Sequence, residues 1–321
     1  MHAFINLGSK DTRSGFGEAL VELGRRDHRI VALCADLTGS LKMDAFAAEF
    51  PERFFETGIA EANMIGLAAG MTIGGMIPFT GTFANFSTAR VYDQIRQSVA
   101  YSAKNVKICA SHAGLTLGED GATHQSLEDI GMMKMLPNMT VVSPCDFNQT
   151  KSATFAVARY PGPVYLRFGR PKVPNFTPAG EEFIIGKAQI LQEGSDVSIF
   201  STGHLVWKSL EASVALEKEG IRAEVINIHT IKPLDSEAIL TSIRKTGCAV
   251  SAEEHLLNGG LGDSIAQLIV QIRPVPMEMV GVNDRFGESG TPEQLLQKFG
   301  LDSPDIVAAV GRVLKRKNLK T

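Results

Sequence analysis

Short apolar runs alternate with longer stretches of helical periodicity along the whole chain, and this limits the fold more than any single motif does. Runs at 30–35, 54–57, 76–80, 106–111, 140–143 and 164–168 predict strands, and 61–73, 88–102, 127–136 and 147–159 predict helices between them. Strands separated by helices build a mainly parallel sheet covered on both faces, in which ligands bind at the carboxyl ends of the strands. The stretch 169–180, GRPKVPNFTPAG, is rich in Pro and Gly, breaks the pattern and predicts a linker. The alternation then restarts, with strands at 196–201, 223–228, 249–253 and 277–282, helices at 205–219, 236–245 and 262–271, and two final helices. The expected class is α/β, in two domains that are each a mainly parallel sheet flanked by helices. The expected boundaries are 1–172 for the first domain, 173–186 for the linker and 187–321 for the second domain.

The bulk properties exclude several classes of function. With 321 residues, 44% hydrophobic and 21% charged, the chain suits a globular protein of about two domains. A net charge of -3 supplies no basic field for nucleic acid or an anionic membrane surface. The Lys315-Arg316-Lys317 cluster reads as a solvated helix end. Cys34, Cys109, Cys145 and Cys248 lie far apart with no CxxC pair, so a disulfide framework or structural zinc site is not expected and a reducing, cytoplasmic setting is. The N-terminal segment lacks the basic and apolar regions of a signal peptide. The run 64–79 falls short of the roughly 18 residues of a membrane span and holds Gly66, Gly70, Gly74, Gly75 and Pro78; it predicts a buried helix and then a buried strand.

Three stretches carry candidate chemistry. In RFFETGIAEANMIGLAAGMTIGG (53–75) a strand runs into a Gly turn and Glu61 opens an Ala- and Gly-rich helix, where an acidic residue also suits the helix dipole. In FTGTFANFSTAR (79–90), Phe83 and Phe86 sit near a strand end, placed either to stack on a planar ring or to fill the core. The long loop SHAGLTLGEDGATHQ (111–125) holds His112, Asp120 and His124 among glycines, and polar loops of this length between strand and helix are usually functional. Ser126, with Asp129 three residues on, reads as a capping-box-like start of the next helix. No third nearby His or Cys completes a metal site, so the two histidines fit proton transfer or hydrogen bonding to a hydroxylated substrate.

These stretches, in this order and together with ADLTGS (35–40), resemble the pyrimidine-binding domain of transketolases, and IKPLD (231–235) and EEHLLNGGLG (253–262) resemble the family's C-terminal domain. The resemblance covers essentially the whole chain, which aligns with the second half of a full-length transketolase. It implies a thiamine-diphosphate enzyme of the pentose phosphate pathway that transfers two-carbon ketol units between sugar phosphates. Glu61 matches the glutamate that hydrogen-bonds N1′ of the cofactor's aminopyrimidine; a carboxyl there favours the 1′,4′-imino tautomer, whose nitrogen removes the thiazolium C2 proton. Phe83 and Phe86 match the aromatics lining the pyrimidine pocket, and Asp36 and Leu37 match residues close to the cofactor. Ala89 stands where some members have Tyr, and Tyr92 lies nearby. His112, Asp120 and His124 match residues that contact the sugar's hydroxyls and carbonyl, which makes Glu61, His112 and His124 the candidate catalytic residues. Arg13, Ser40 and Arg170 match the phosphate-binding positions, and an arginine fork suits phosphate bidentately.

The family holds the cofactor's diphosphate through a divalent metal such as Mg, bound by a Gly-Asp-Gly motif and a downstream Asn. GEDG at 118–121 is not that motif. The resemblance therefore implies no metal site here and a partner chain, the transketolase N-terminal (diphosphate-binding) subunit, in an α2β2 assembly. Deoxyxylulose-phosphate synthases and the β subunit of 2-oxoacid dehydrogenases share the domain order and remain alternatives, as does a non-catalytic interaction module. His112 and LGEDGATHQ favour transketolase, and a sulfonated sugar remains open as substrate.

Overall fold

The computed structural model describes residues 5–319. Among these the strands are β1 (Ser9–Asp11), β2 (Ile30–Cys34), β3 (Phe54–Glu56), β4 (Ile77–Phe83), β5 (Lys107–Ser111), β6 (Thr140–Val142), β7 (Val164–Arg167), β8 (Lys172–Pro174), β9 (Gln189–Gln192), β10 (Val197–Ser201), β11 (Ala223–Asn227), β12 (Thr230–Lys232), β13 (Ala249–Leu256) and β14 (Met277–Val282). The first sheet has the order β12-β6-β7-β5-β4-β2-β3 and the second β14-β13-β10-β11-β9, while β1 pairs with β8. All pairings in the first sheet are parallel except that of β12, and all in the second except that of β9. The architecture is the expected two-sheet α/β arrangement. β2 (IVALC) and β5 (KICAS) are buried along their whole length, as strands covered on both faces must be.

Several local expectations fail for identifiable reasons. The helix expected over 88–102 is instead a short helix Ala84–Thr88, a 3-10 turn Ala89–Val91, one turn at Tyr92–Gln94 and a π segment Ile95–Tyr101. Thr88 Oγ1 donates back to the Ala84 carbonyl at 2.7 Å, and Thr88 leaves helical dihedrals at ψ -72°. The capping box at Ser126 does not form. The helix starts at Asp129, its N-cap Glu128 makes no side-chain cap bond, and the buried Ser126 Oγ has no partner. Asp129 points inward instead, accepting from Arg167 Nε at 2.7 Å and Tyr165 Oη at 2.6 Å.

The Pro-rich stretch is no free tether. β8 pairs with β1, and buried Asp146, which caps the helix Phe147–Arg159 through Gln149 N–H, also accepts the N–H groups of Phe176 and Thr177 at 2.8 and 2.7 Å. A buried backbone has to place its N–H groups somewhere, and Asp146 takes two of them. The basic C-terminal cluster is only partly solvated. Lys317 Nζ donates to the carbonyls of Asp196 and Thr246, and Arg316 reaches Met277 O and Glu278.

No sequence pattern marks β12, from the second half of the chain, as the strand that covers the edge of the first sheet. It pairs antiparallel with β6, and Ser143 N–H donates to His229 O at 2.8 Å. Behind it Ile226, Ile228 and Ile231 share one apolar core with Ile130, Met133, Val141 and Tyr165, so the two domains are packed as one body. No helix among the described residues is long and apolar enough to cross a membrane.

Candidate functional site

Neighbouring parallel strands β7, β5, β4, β2 and β3 end on one edge of the first sheet, and nearly every candidate residue follows one of these ends. Arg170 follows β7, His112 follows β5, Phe83 closes β4 with Phe86 just beyond, Asp36 and Leu37 follow β2, and Glu61 comes after β3. Arg13 joins them because Thr12 Oγ1, at the start of the helix Thr12–Arg26, donates to the Gly169 carbonyl at 3.2 Å.

Four rings form the centre of this edge. His112 is buried, stacks on Phe83 (centroids 3.8 Å apart, 23° between planes) and takes its Nδ1 bond with Ser111 Oγ at 2.7 Å. Phe83 lies nearly parallel to Phe86 at 5.9 Å, and His124 meets the Phe86 ring at 5.4 Å and 69°. His124 Nδ1 is 2.9 Å from Thr123 Oγ1. The His112 backbone has φ 58°, a left-handed conformation costing a non-Gly residue of order 1–3 kcal/mol and found most often at functional sites. Burial, and then the nearby charges of Arg13, Arg170 and His124, push the imidazole down to about 2. Near pH 7 the imidazole is therefore neutral, with one nitrogen able to donate and one to accept a hydrogen bond.

Glu61 is the first residue of the helix Glu61–Met71 and is 4% exposed. Its Oε1 accepts from Arg90 Nη1 at 2.8 Å, and the same guanidinium lies over the Phe86 ring, 4.1 Å from the centroid. Arg90 was not among the residues expected from sequence; it is the last residue of the FTGTFANFSTAR stretch and nothing in the local pattern marks it.

The arginines form a second group. Arg13 Nη1 donates to the backbone carbonyl of Ser40 at 2.8 Å, so Ser40 meets it through its main chain. Arg13 Nε lies 3.6 Å from Asp11 Oδ1, yet it is buried and makes no hydrogen bond. Burial, only partly offset by Asp11, lowers the Arg13 pKa, and Arg170 lowers it further. Arg170 Nη1 donates to Leu117 O and to Glu119 Oε2, each at 2.6 Å. Asp120 is exposed. Asp36 is also exposed, with φ 57°; its N–H donates to Glu56 Oε1 at 2.8 Å, and Thr38 Oγ1 donates to Glu56 Oε2 at 3.0 Å. Leu37 is half-buried against the core.

The second domain holds the His-bearing loop from behind. Buried Glu254 accepts Thr116 N–H at 2.5 Å, and Arg167 Nη2 donates to its backbone carbonyl at 2.8 Å while pairing with Asp129. Gly114 is required here twice: its φ is +83°, and a Cβ would lie 2.3 Å from Glu254 Oε1. Gln125 Nε2 donates to Leu115 O at 3.1 Å and across the domains to Glu288 O at 3.0 Å. Glu253 caps the helix Leu261–Ile272 through the N–H groups of Leu261 and Gly262, and His255 Nε2 accepts Gly131 N–H at 3.3 Å. Three successive polar residues ending a buried strand were the available signal for this contact.

Comparison with known proteins fits this arrangement. The family model for the transketolase pyrimidine binding domain matches residues 8–175, and that for the transketolase C-terminal domain matches 186–306. The chain belongs to the transketolase family. It is 44% identical over 316 residues to a 6-deoxy-6-sulfo-D-fructose transketolase subunit of a Clostridium species, covering 98% of each chain. It is 43% identical over 311 residues to a putative transketolase C-terminal section of Methanocaldococcus jannaschii, covering 96% of this chain and 98% of that one. A solved split-gene transketolase, an inactive β4 tetramer, superposes with a TM-score of 0.90 at 47% identity over 96% of this chain and 99% of its own. Relatives described as a transketolase subunit, a transketolase C-terminal section and a split-gene transketolase thus match this chain nearly end to end.

A transketolase pyrimidine domain implies thiamine diphosphate, and the residues present fit the ring end of that cofactor. Glu61 offers a buried acceptor, and a planar N–H donor, the Arg90 guanidinium, lies against both it and the flat Phe86 ring. Tyr92 does not join the aromatic cluster: its hydroxyl donates to Met132 O at 3.3 Å and its ring packs on the core. Among the described residues no group of three or more His, Cys, Asp or Glu is placed to hold a metal ion.

Proposed function

We propose that this chain is the pyrimidine-side subunit of a cytoplasmic two-chain transketolase that moves a two-carbon ketol unit from a ketose phosphate to an aldose phosphate. The partner is a transketolase N-terminal subunit that binds the diphosphate through a divalent metal such as Mg, in an α2β2 assembly. The division into a pyrimidine-binding domain at 1–172, a linker at 173–186 and a C-terminal domain at 187–321 belongs to the same reading. The observation that carries it is the buried Glu61 carboxyl, joined through the Arg90 guanidinium to the Phe86 ring, which lies nearly parallel to Phe83. The inactivity of the solved β4 tetramer supports a need for the partner.

Thiamine diphosphate supplies the nucleophilic carbon and the electron sink. Glu61 holds the ring nitrogen N1′ and shares its proton, Phe83 and Phe86 pack against the ring, and Asp36 and Leu37 border it. His112, His124 and Asp120 hydrogen-bond the sugar. The sugar's terminal anion lies at Arg13, Ser40 and Arg170, a placement supported by the buried Arg13 Nε–H, which makes no hydrogen bond although Asp11 lies 3.6 Å away. A named relative acts on 6-deoxy-6-sulfo-D-fructose, so phosphate and sulfonate ketoses both belong in the assay.

Glu61→Gln in the assembled enzyme is the test. Gln still hydrogen-bonds N1′ but shares no proton, so exchange of the cofactor's C2 proton for deuterium slows by roughly 10²–10⁴ while the subunit stays folded. An exchange rate equal to that of the native enzyme would refute the role of Glu61 and the reading built on it.

A further inference from the structure

The side chain that answers Glu61 in this chain is Arg90, and the manner of the contact goes beyond charge neutralisation. Its Nη1 is 2.8 Å from Glu61 Oε1, while its guanidinium carbon stands 4.1 Å from the centre of the Phe86 ring. A guanidinium is a flat cation with N–H donors in its plane and a π face above and below. An aminopyrimidine that donates to Glu61 and packs on Phe86 presents the same chemistry to the same two groups. We propose that Arg90 is a placeholder: in the unassembled subunit its guanidinium takes the position of the cofactor's aminopyrimidine on Glu61 and Phe86, and it swings out when the ring enters. This inference rests on the assignment of Glu61 and Phe86 to the pyrimidine site.

The physical reasons for a placeholder lie in burial and backbone. Glu61 is 4% exposed, and a carboxylate so placed is costly without a partner. Arg90 supplies one before the cofactor and partner chain arrive. Its own side chain is 48% exposed, so water is already at hand for the departing cation. It also sits in the short 3-10 turn Ala89–Val91, whose last residue Val91, like the preceding Thr88, has non-helical dihedrals, so Arg90 belongs to no regular helix.

A permanent ion pair would give the opposite sign from a placeholder, which makes the idea testable by binding. The measurement is the Kd for thiamine diphosphate with Mg²⁺, by calorimetry, on the assembled two-chain enzyme with native, Arg90→Ala and Arg90→Lys subunits. Loss of a half-exposed competitor tightens binding in Arg90→Ala by roughly threefold to tenfold, and Arg90→Lys, which keeps the charge without the flat guanidinium, falls between Arg90→Ala and native. The melting temperature of the isolated Arg90→Ala chain falls, and that of the cofactor-loaded assembly does not, because Arg90 no longer pairs with Glu61 there. If Arg90→Ala fails to fold, Arg90→Gln, which keeps an N–H donor without the charge, must show the same tightening. Unchanged or weaker cofactor binding, or an equal drop in both melting temperatures, overturns the placeholder alone. Failure of the native assembly to bind thiamine diphosphate overturns the pyrimidine-site reading and the placeholder together.

Discussion

Glu254 of the second domain accepts the Thr116 N–H at 2.5 Å, and through this bond the C-terminal domain holds the loop that carries His112 and His124. The acceptor is fully enclosed, 138 residues away from its donor in the chain, and it also shapes the space that only Gly114 fills.

This contact makes a pH prediction. Burial is the main cause that raises the Glu254 carboxyl from 4.5 to about 7, with Arg167 and the Thr116 bonds opposing it. Between these values the unfolded chain has lost its proton and the folded chain keeps it. The Glu254 contribution to stability therefore declines as pH rises from about 4.5 to about 7 and is constant above that. Glu254→Gln keeps the acceptor and removes the titration, so thermal melts of the variant should lack this decline. A variant whose melting temperature follows the native pH curve would show that Glu254 is not the titrating group.

The Asp129–Arg167 pair predicts a stability effect. Asp129 is fully buried, Arg167 is 4% exposed, and Tyr165 shares the carboxylate. Removing one partner leaves a buried charge alone, which costs about 3–5 kcal/mol. Asp129→Ala should lower the urea unfolding free energy by that amount, and a loss below about 1 kcal/mol would mean that water reaches Arg167.

Arg170 tests the substrate class. It carries an exposed contact to Glu119 at 2.6 Å, and an anionic sugar has to compete for that arginine. Deleting one charged hydrogen-bonding partner of a phosphate costs roughly 1.5–3 kcal/mol, or about 10- to 150-fold. In the assembled enzyme Arg170→Ala should raise KM for phosphorylated sugars by that factor and leave KM for glycolaldehyde nearly unchanged. Glu119→Ala should move KM for the phosphorylated sugars the other way, since it frees the arginine. Equal losses for both acceptors would make Arg170 structural.

By itself the sequence determined the two α/β sheets and the position of the candidate edge. Strands buried on both faces need uninterrupted apolar residues, so IVALC and its neighbours stand out, and Asp36, Glu61, Phe83, His112 and Arg170 each lie at or just after such a run. It fared worse over 88–102 and at Ser126, where helical patterning was present but a threonine back-bond and an inward-turned aspartate decided the outcome. Only the tertiary structure decided that Arg90 meets Glu61 across 29 residues, that Glu254 braces the His112 loop, and that β12 closes the edge of the first sheet. Periodicity reports which side of one element is buried; it contains nothing about the angle at which two domains pack, and each of these contacts is set by packing between distant elements.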